Sequence, residues 1–271
     1  MKSILFLFIL LFSFFGMSQT PFSIGVIDSL YSEELNENRI INIYLPLDFS
    51  ADSIQSYNVI YLLDGSADED FIHVAGLVQF CNFSWINILP PSIVVGISNV
   101  DRKRDFTFPT SIEKDKIDFP TTGASAKFIS FIEKELKPFI EKSYHTTGNN
   151  MLIGQSLGGL LATEILVTKS EMFNQYVIVS PSLWWNNESL LNIDFSSLKT
   201  MQTRKINVQI SVGNEGSVMV KDAKRLYRAL KKIKMKQLRV SFDYLSDKNH
   251  ATIYHQALMN AFQNFNSTLN D

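Results

Sequence analysis

The chain holds one cysteine, Cys81, in 271 residues. A single thiol rules out an internal disulfide and is not a metal site, so stability must come from a packed core. Flanked by Phe80 and Phe83, Cys81 is expected to be a small buried hydrophobe. An excess of charge is missing too: 25 Lys and Arg meet 27 Asp and Glu, for a net charge of −2. That balance gives no push toward nucleic acid or an anionic membrane, which would require a basic excess. There is no internal repeat, no low-complexity tract and no Pro- or Ser-rich linker, and the length suits one large core, so a single domain is expected. No His, Cys or carboxylate cluster has metal-ligand spacing, and neither metal nor organic cofactor is expected.

Long apolar runs are also scarce. The one stretch of note, Ile4 to Phe15, falls short of the roughly 20 residues that span a bilayer. It follows Met1-Lys2 and ends in Gly16-Met17-Ser18, the layout of a secretory signal peptide cut near Ser18 or Gln19. No Cys follows directly, which argues against a lipid anchor. The sequence thus predicts a leader over residues 1–19 and a folded domain over 20–271, exported to the periplasm or secreted, with no membrane attachment after cleavage.

Within that domain, Ile41, Ile43 and Leu45 alternate on one face of a strand that Pro46 ends. The segment from Ile24 to Tyr31 reads as its antiparallel partner, with one wet side. Five short apolar runs follow: Val59–Leu63, Ile93–Ile97, Met151–Ile153, Tyr176–Val179 and Val208–Val212. Helix-length stretches separate them, which predicts a mostly parallel, doubly wound α/β sheet covered on both faces. Phe128, Ile132, Leu136, Phe139 and Ile140 form one helical stripe, with a kink expected at Pro138. Ala223, Leu226, Tyr227, Leu230 and Ile233 form another, with the cations of that segment on a solvated face. Leu238, Val240, Phe242 and Tyr244 alternate as a strand near the sheet edge.

Chemistry concentrates at Gly154-Gln155-Ser156-Leu157-Gly158. A buried strand enters this G-x-S-x-G and a helix leaves it, the setting in which a sharp turn lifts a nucleophilic Ser clear of a sheet. Gly154 and Gly158 stand where crowded backbones leave no room for side chains, and Gly159 would let the helix pack close. A Ser hydroxyl needs a base. Of the four histidines, His250 follows the last strand in a polar loop and fits the chain order Ser, acid, His. His255 lies inside the next helix beside Tyr254 and reads as a packing residue; His73 and His145 precede the Ser. The acid should follow the penultimate strand, where Glu215 sits in a turn, with Asp222 seven residues on as the second choice. Oxyanion donors are expected from the N–H of Leu157 and from Ser66 N–H, with Gly65 the alternative to Ser66.

These residues resemble the putative-esterase (esterase D-like) branch of the α/β-hydrolase superfamily, which includes siderophore trilactone esterases, feruloyl esterases and mycolyltransferases. The resemblance covers nearly all of the mature chain. It rests on Tyr61-Leu62-Leu63-Asp64-Gly65, on Val94-Val95-Gly96-Ile97 followed by Asp101-Arg102-Lys103-Arg104-Asp105, on the Gly154–Gly159 elbow, and on Ser180-Pro181-Ser182-Leu183-Trp184-Trp185. It implies an α/β-hydrolase fold without a large lid domain and a serine esterase working through an acyl-enzyme on a small-molecule ester. Motifs are nearest to the siderophore-type members, which implies a pocket wall at Trp184 and Trp185 and a substrate contact at Arg104. At least one of the two Trp is equally well read as core. Many members carry Asp where this chain has Glu215, and some manage with Ser and His alone. Acyl transfer to an alcohol would use the same residues, and a catalytically silent binding protein is the third reading. Oligomeric state is not encoded in any of these motifs.

Overall fold

A computed structural model describes residues 22–50, 54–198 and 204–267. The expected leader lies outside them. Eight strands form one sheet in the order β1-β2-β4-β3-β5-β6-β7-β8. They are β1 (Val26–Ser32), β2 (Glu37–Tyr44), β3 (Tyr57–Leu62), β4 (Ser92–Ile97), β5 (Thr146–Gln155), β6 (Gln175–Val179), β7 (Ile206–Gly213) and β8 (Leu238–Leu245). β1 pairs with β2, and β2 with β4, antiparallel; the other five pairings are parallel. The sheet is therefore mixed at one end and doubly wound through the rest, as the strand pattern predicted.

The helices that position the site are α1 (Phe71–Asn82), α2 (Arg102–Phe106), α3 (Ser125–Ser143), α4 (Leu157–Thr168), α5 (Gly216–Lys232) and α6 (Tyr254–Ser267). Two cores result, one on each face of the sheet. The apolar sides of α1 and α6 pack on one face, around Val74, Val78, Ile153, Leu258 and Phe262. On the other, α3, α4 and α5 pack around Phe128, Ile132, Leu161, Ile165 and Leu226. Central strands such as β4 and β6 are buried along their whole length, which explains their unbroken apolar sequences. β8 alternates because it is an edge strand. Cys81 is fully buried, with its Sγ 3.8 Å from Met259 Sδ.

α3 has a π-helical turn over Ile132–Leu136, which ends two residues before Pro138. A proline inside a helix lacks an N–H and crowds the carbonyl one turn back, and a wider turn relieves both. The stripe Phe128, Ile132, Leu136 and Ile140 stays buried through the irregularity.

Parallel strands share a direction, so β3, β4, β5, β6, β7 and β8 all end at one edge of the sheet. The loops that leave this edge carry Asp64, Ser156, Ser180, Glu215 and His250, and Arg102 opens the helix that follows β4. Open α/β sheets bind their ligands outside such carboxyl ends.

Candidate active site

Ser156 links β5 to α4 with φ 59° and ψ −118°, a conformation that side chains rarely adopt. The strain is held by packing on every side. A Cβ on Gly154 would lie 2.4 Å from the Gly158 carbonyl oxygen, so β5 and α4 can approach only with glycine there. A Cβ on Gly159 would lie 3.0 Å from both Val179 O and Pro181 Cα, which seats the helix against the loop after β6. Space at Gly158 is looser, with the nearest atom at 3.4 Å. Leu157 through Val167 are all buried, so the helix that carries the strained turn is itself a core element.

Glu215 ends the turn after β7, and its carboxylate is almost fully buried. Its Oε2 stands 2.5 Å from His250 Nδ1. Its Oε1 accepts from Ser180 Oγ at 2.5 Å and from Gly213 N–H at 2.9 Å. Burial alone would push this carboxyl up; the hydrogen bonds from His250, Ser180 and Gly213 outweigh it and hold the group below the ordinary carboxylate range. His250 is about half exposed. Its loop is fixed by the Asn249 side chain, which accepts from Ala251 N–H and Thr252 N–H, and by Gln155 Nε2 donating to the His250 carbonyl at 2.6 Å. The alternative acid, Asp222, is fully buried within α5 and is not in hydrogen-bonding contact with any described group.

The Ser156 hydroxyl lies 3.3 Å from Ser182 Oγ, and Ser182 N–H donates to the Ser156 carbonyl at 3.0 Å. Ser156, His250 and Ala251 together line a cleft with two lobes of about 650 and 520 Å³. The larger adds Asp64, Asp70, His73, Arg102, Tyr254 and His255 to its wall, and the smaller adds Ser182, Trp184, Glu215 and Met219.

The residues expected to contact substrate fall in different places. Trp184 lines the smaller lobe. Trp185 is fully buried, and its Nε1 donates to the Phe108 carbonyl at 2.9 Å, so it is a core residue. Arg104 lines neither lobe. It grips both oxygens of Glu37 and donates to Asp105, whose other oxygen takes the fully buried Arg39. Arg102 is the arginine in the cleft, and it chelates Asp64 with bonds of 2.6 and 2.9 Å. Two residues along a helix turn about 200°, so Arg102 and Arg104 of α2 face opposite ways. Asp64 itself adopts φ 56° and takes a third bond from Asn99 at 2.7 Å. Burial works against the Arg102 charge, but the hydrogen bonds and charge of Asp64 prevail.

His255 is exposed and is not the packing residue its sequence context implied. Its Nδ1 lies 3.1 Å from His73 Nε2, and the two rings stack on the rim of the larger lobe. Tyr254 takes the buried direction one residue earlier. Nothing in the sequence pairs residues 182 positions apart, or links Asp64 to Arg102; those partnerships belong to the sheet. Of the two candidate oxyanion groups in the loop after β3, Gly65 N–H is committed to Ile97 O at 3.0 Å. Ser66 N–H makes only a long 3.4 Å contact to Glu69. Among the described residues no group of three or more His, Cys, Asp or Glu is placed to hold a metal ion, and no helix is long and apolar enough to cross a membrane.

Comparison with known proteins agrees with this architecture. The family described as "Putative esterase" matches residues 32–270. The ferri-bacillibactin esterase BesA of Bacillus subtilis is 30% identical over 257 residues, covering 88% of this chain and 89% of its own. An IroE-like serine hydrolase from Shewanella oneidensis superimposes with a TM-score of 0.80 at 28% identity, over 90% of this chain and 80% of that one. A BES protein from Bacillus cereus gives 0.79 at 30% identity, over 91% and 96%. The chain belongs to the putative-esterase family of α/β-hydrolases and is a carboxylic-ester hydrolase.

Proposed function

We propose that the protein is an exported serine esterase that cleaves siderophore-type lactones or related aryl and acyl esters through an acyl-enzyme. The observation that carries this reading is the 2.5 Å contact of His250 with the buried Glu215, in a cleft those residues share with the strained Ser156. Ser156 Oγ attacks the ester carbonyl while His250 Nε2 takes its proton; Glu215 fixes the imidazole through Nδ1 and stabilises the imidazolium. Leu157 N–H, at the first turn of α4 where amides lack intrahelical acceptors, meets the developing oxyanion. Ser66 N–H is the second donor once it releases Glu69. The alcohol leaves with the proton from His250, and water then enters by the same base to free the acid. Because His250 is half exposed, water has direct access, which favours hydrolysis over transfer to an alcohol.

The substrate class rests on relatives named as a ferri-bacillibactin esterase and a siderophore enterobactin esterase, and on Trp184 as an aromatic wall suited to an aryl acid. Residues 1–19 are the export leader and 20–271 the esterase domain in this reading. The test is hydrolysis by purified mature protein of a panel spanning siderophore lactones, acylated sugars and p-nitrophenyl esters. Ser156→Ala should lose about three orders of magnitude or more in kcat on every substrate turned over, as loss of a nucleophile does. A fully active Ser156→Ala would remove the serine mechanism; preference for acylated sugars would remove the siderophore assignment alone.

A further inference from the structure

One short loop reaches both ends of the proposed catalytic group. β6 ends at Val179, and the next three residues are Ser180, Pro181 and Ser182. Ser180 has φ 43°, and its N–H donates to Ser211 O on β7 at 2.8 Å. Fixed in that way, its hydroxyl meets Glu215 Oε1 at 2.5 Å. Two residues on, Ser182 N–H holds the Ser156 carbonyl at 3.0 Å, and its hydroxyl meets the Ser156 hydroxyl at 3.3 Å. Ser180 is fully buried and Ser182 nearly so. Ser156 N–H closes the set by donating to Val179 O at 3.0 Å. A buried hydroxyl costs stability unless it is hydrogen-bonded, and the partners of these two are Glu215 and Ser156.

We propose that Ser180 is a positioning residue that holds Glu215 aimed at His250, and that Ser182 is a catalytic residue that donates a hydrogen bond to Ser156 Oγ when that oxygen is the leaving group. The inference rests on the serine-esterase reading above. A Ser156 hydroxyl that turns its proton to His250 offers an Oγ lone pair to Ser182, its neighbour at 3.3 Å. In deacylation, His250 takes a proton from water as the water oxygen bonds to the acyl carbon. The tetrahedral intermediate then collapses, the bond from acyl carbon to Oγ breaks, and its electron pair stays on Oγ. His250 returns the proton to Oγ. Ser182 keeps its own proton throughout and stabilises the charge on Oγ as that bond breaks. A 3.3 Å contact is long for two hydroxyls and has room to shorten as charge builds.

Ser180 acts through the acid. The titratable group facing Glu215 is His250, from the loop after β8; the Ser180 hydroxyl and Gly213 N–H supply its other hydrogen bonds. Without the Ser180 donor the carboxylate becomes more basic, so protonation begins to uncouple Glu215 from His250 at higher pH.

The experiment is pre-steady-state and steady-state hydrolysis of a p-nitrophenyl ester by wild type, Ser156→Ala, Ser182→Ala, Ser180→Ala and Ser180→Gly. Glycine removes the hydroxyl while relaxing the positive φ, so Ser180→Gly guards against a variant that merely misfolds. Ser182→Ala should lower kcat about ten- to hundredfold by slowing deacylation, with a burst of p-nitrophenol close to one per enzyme. Both Ser180 variants should lower kcat about tenfold or more with KM little changed, and should move the acidic limb of the pH–kcat profile to higher pH. Wild-type kcat and pH profile in Ser180→Gly, or wild-type turnover in Ser182→Ala, with Ser156→Ala inactive, would overturn the corresponding role and leave the serine mechanism standing. An active Ser156→Ala would instead remove the reading on which both roles depend.

Discussion

Glu215 and Asp222 are separated by seven residues and by opposite surroundings. Glu215 is buried but supplied with three hydrogen bonds. Asp222 is buried without any among the described residues, and burial followed by the Glu188 charge pushes its carboxyl up. Glu215→Gln should therefore lower kcat by about two to four orders of magnitude with KM nearly unchanged. Asp222→Asn should cost less than about tenfold. Steady-state kinetics of the two variants decides between them, and the reverse ranking would move the acid to Asp222. The paired tryptophans separate in the same manner. Trp185→Ala should destabilise by about 3–5 kcal/mol, since it empties a core site and orphans the Phe108 carbonyl, with KM for aryl esters little altered. Trp184→Ala, which removes a partly buried ring packed on Phe119 and Trp185, should lower the melting temperature less than Trp185→Ala and raise that KM roughly fivefold. Thermal unfolding beside aryl-ester kinetics distinguishes a wall residue from a core residue. Chain order and strand ends single out Ser156, His250 and Glu215 in the sequence, and the fold brings Glu215 and His250 into contact beside Ser156. Arg102 could not be told from Arg104, because which face of a five-residue helix turns inward depends on what packs against it.

At the scale of one element, α4 carries an unusual charge. Glu164 lies two turns beyond Ser156, about 90% buried, with one oxygen bonded to Ser125 Oγ and the other unpartnered. Burial raises its carboxyl to about 7, with the Ser125 bond acting weakly the other way. The folded state thus holds the proton more tightly than the unfolded chain. Stability is full below the unfolded value near 4.5 and falls as pH rises towards 7, after which the penalty stays. Glu164→Gln, which mimics the protonated acid, should be nearly neutral at pH 5. At pH 8 it should stabilise by an amount on the order of 2–3 kcal/mol. Melting curves at the two pH values settle it; equal effects at both would show that Glu164 does not titrate in this range. Element ends were less legible than element centres. β5 begins at Thr146, five residues before its apolar run, because Thr146-Thr147-Gly148-Asn149-Asn150 extends the strand with little apolar burial. Polar sequence cannot announce a strand that tertiary pairing imposes.

For the whole molecule, two predictions concern what accompanies the fold. Chelators should leave kcat unchanged, since side chains complete the proposed chemistry. Loss of turnover in EDTA, restored by one divalent metal, would contradict this. Export should remove the apolar leader, so intact-mass measurement of protein from the periplasm or medium should find a chain starting near residue 19 or 20. A mass that retains residues 1–18 would rule out cleavage there.

Periodicity and chain order determined a good deal without coordinates. Unbroken apolar runs at β3, β4, β6 and β7 meant strands covered on both faces, alternation at β8 meant a strand near an edge, and glycine spacing around Ser156 meant a tight turn. Each is a local rule, in which the residue's own neighbours in the chain set the physics. The wet side expected for β2 is missing from its second half, where Ile41, Asn42, Ile43 and Tyr44 are all buried between β1 and β4. Tertiary structure alone decided which groups meet: Glu215 with Ser180 and His250, Ser156 with Ser182, Asp64 with Arg102, His73 with His255. Those contacts come from loops and first helical turns that follow one edge of a single sheet, brought together by strand order and register. Neither order nor register is written in any one segment, because each follows from how all eight strands bury their faces together.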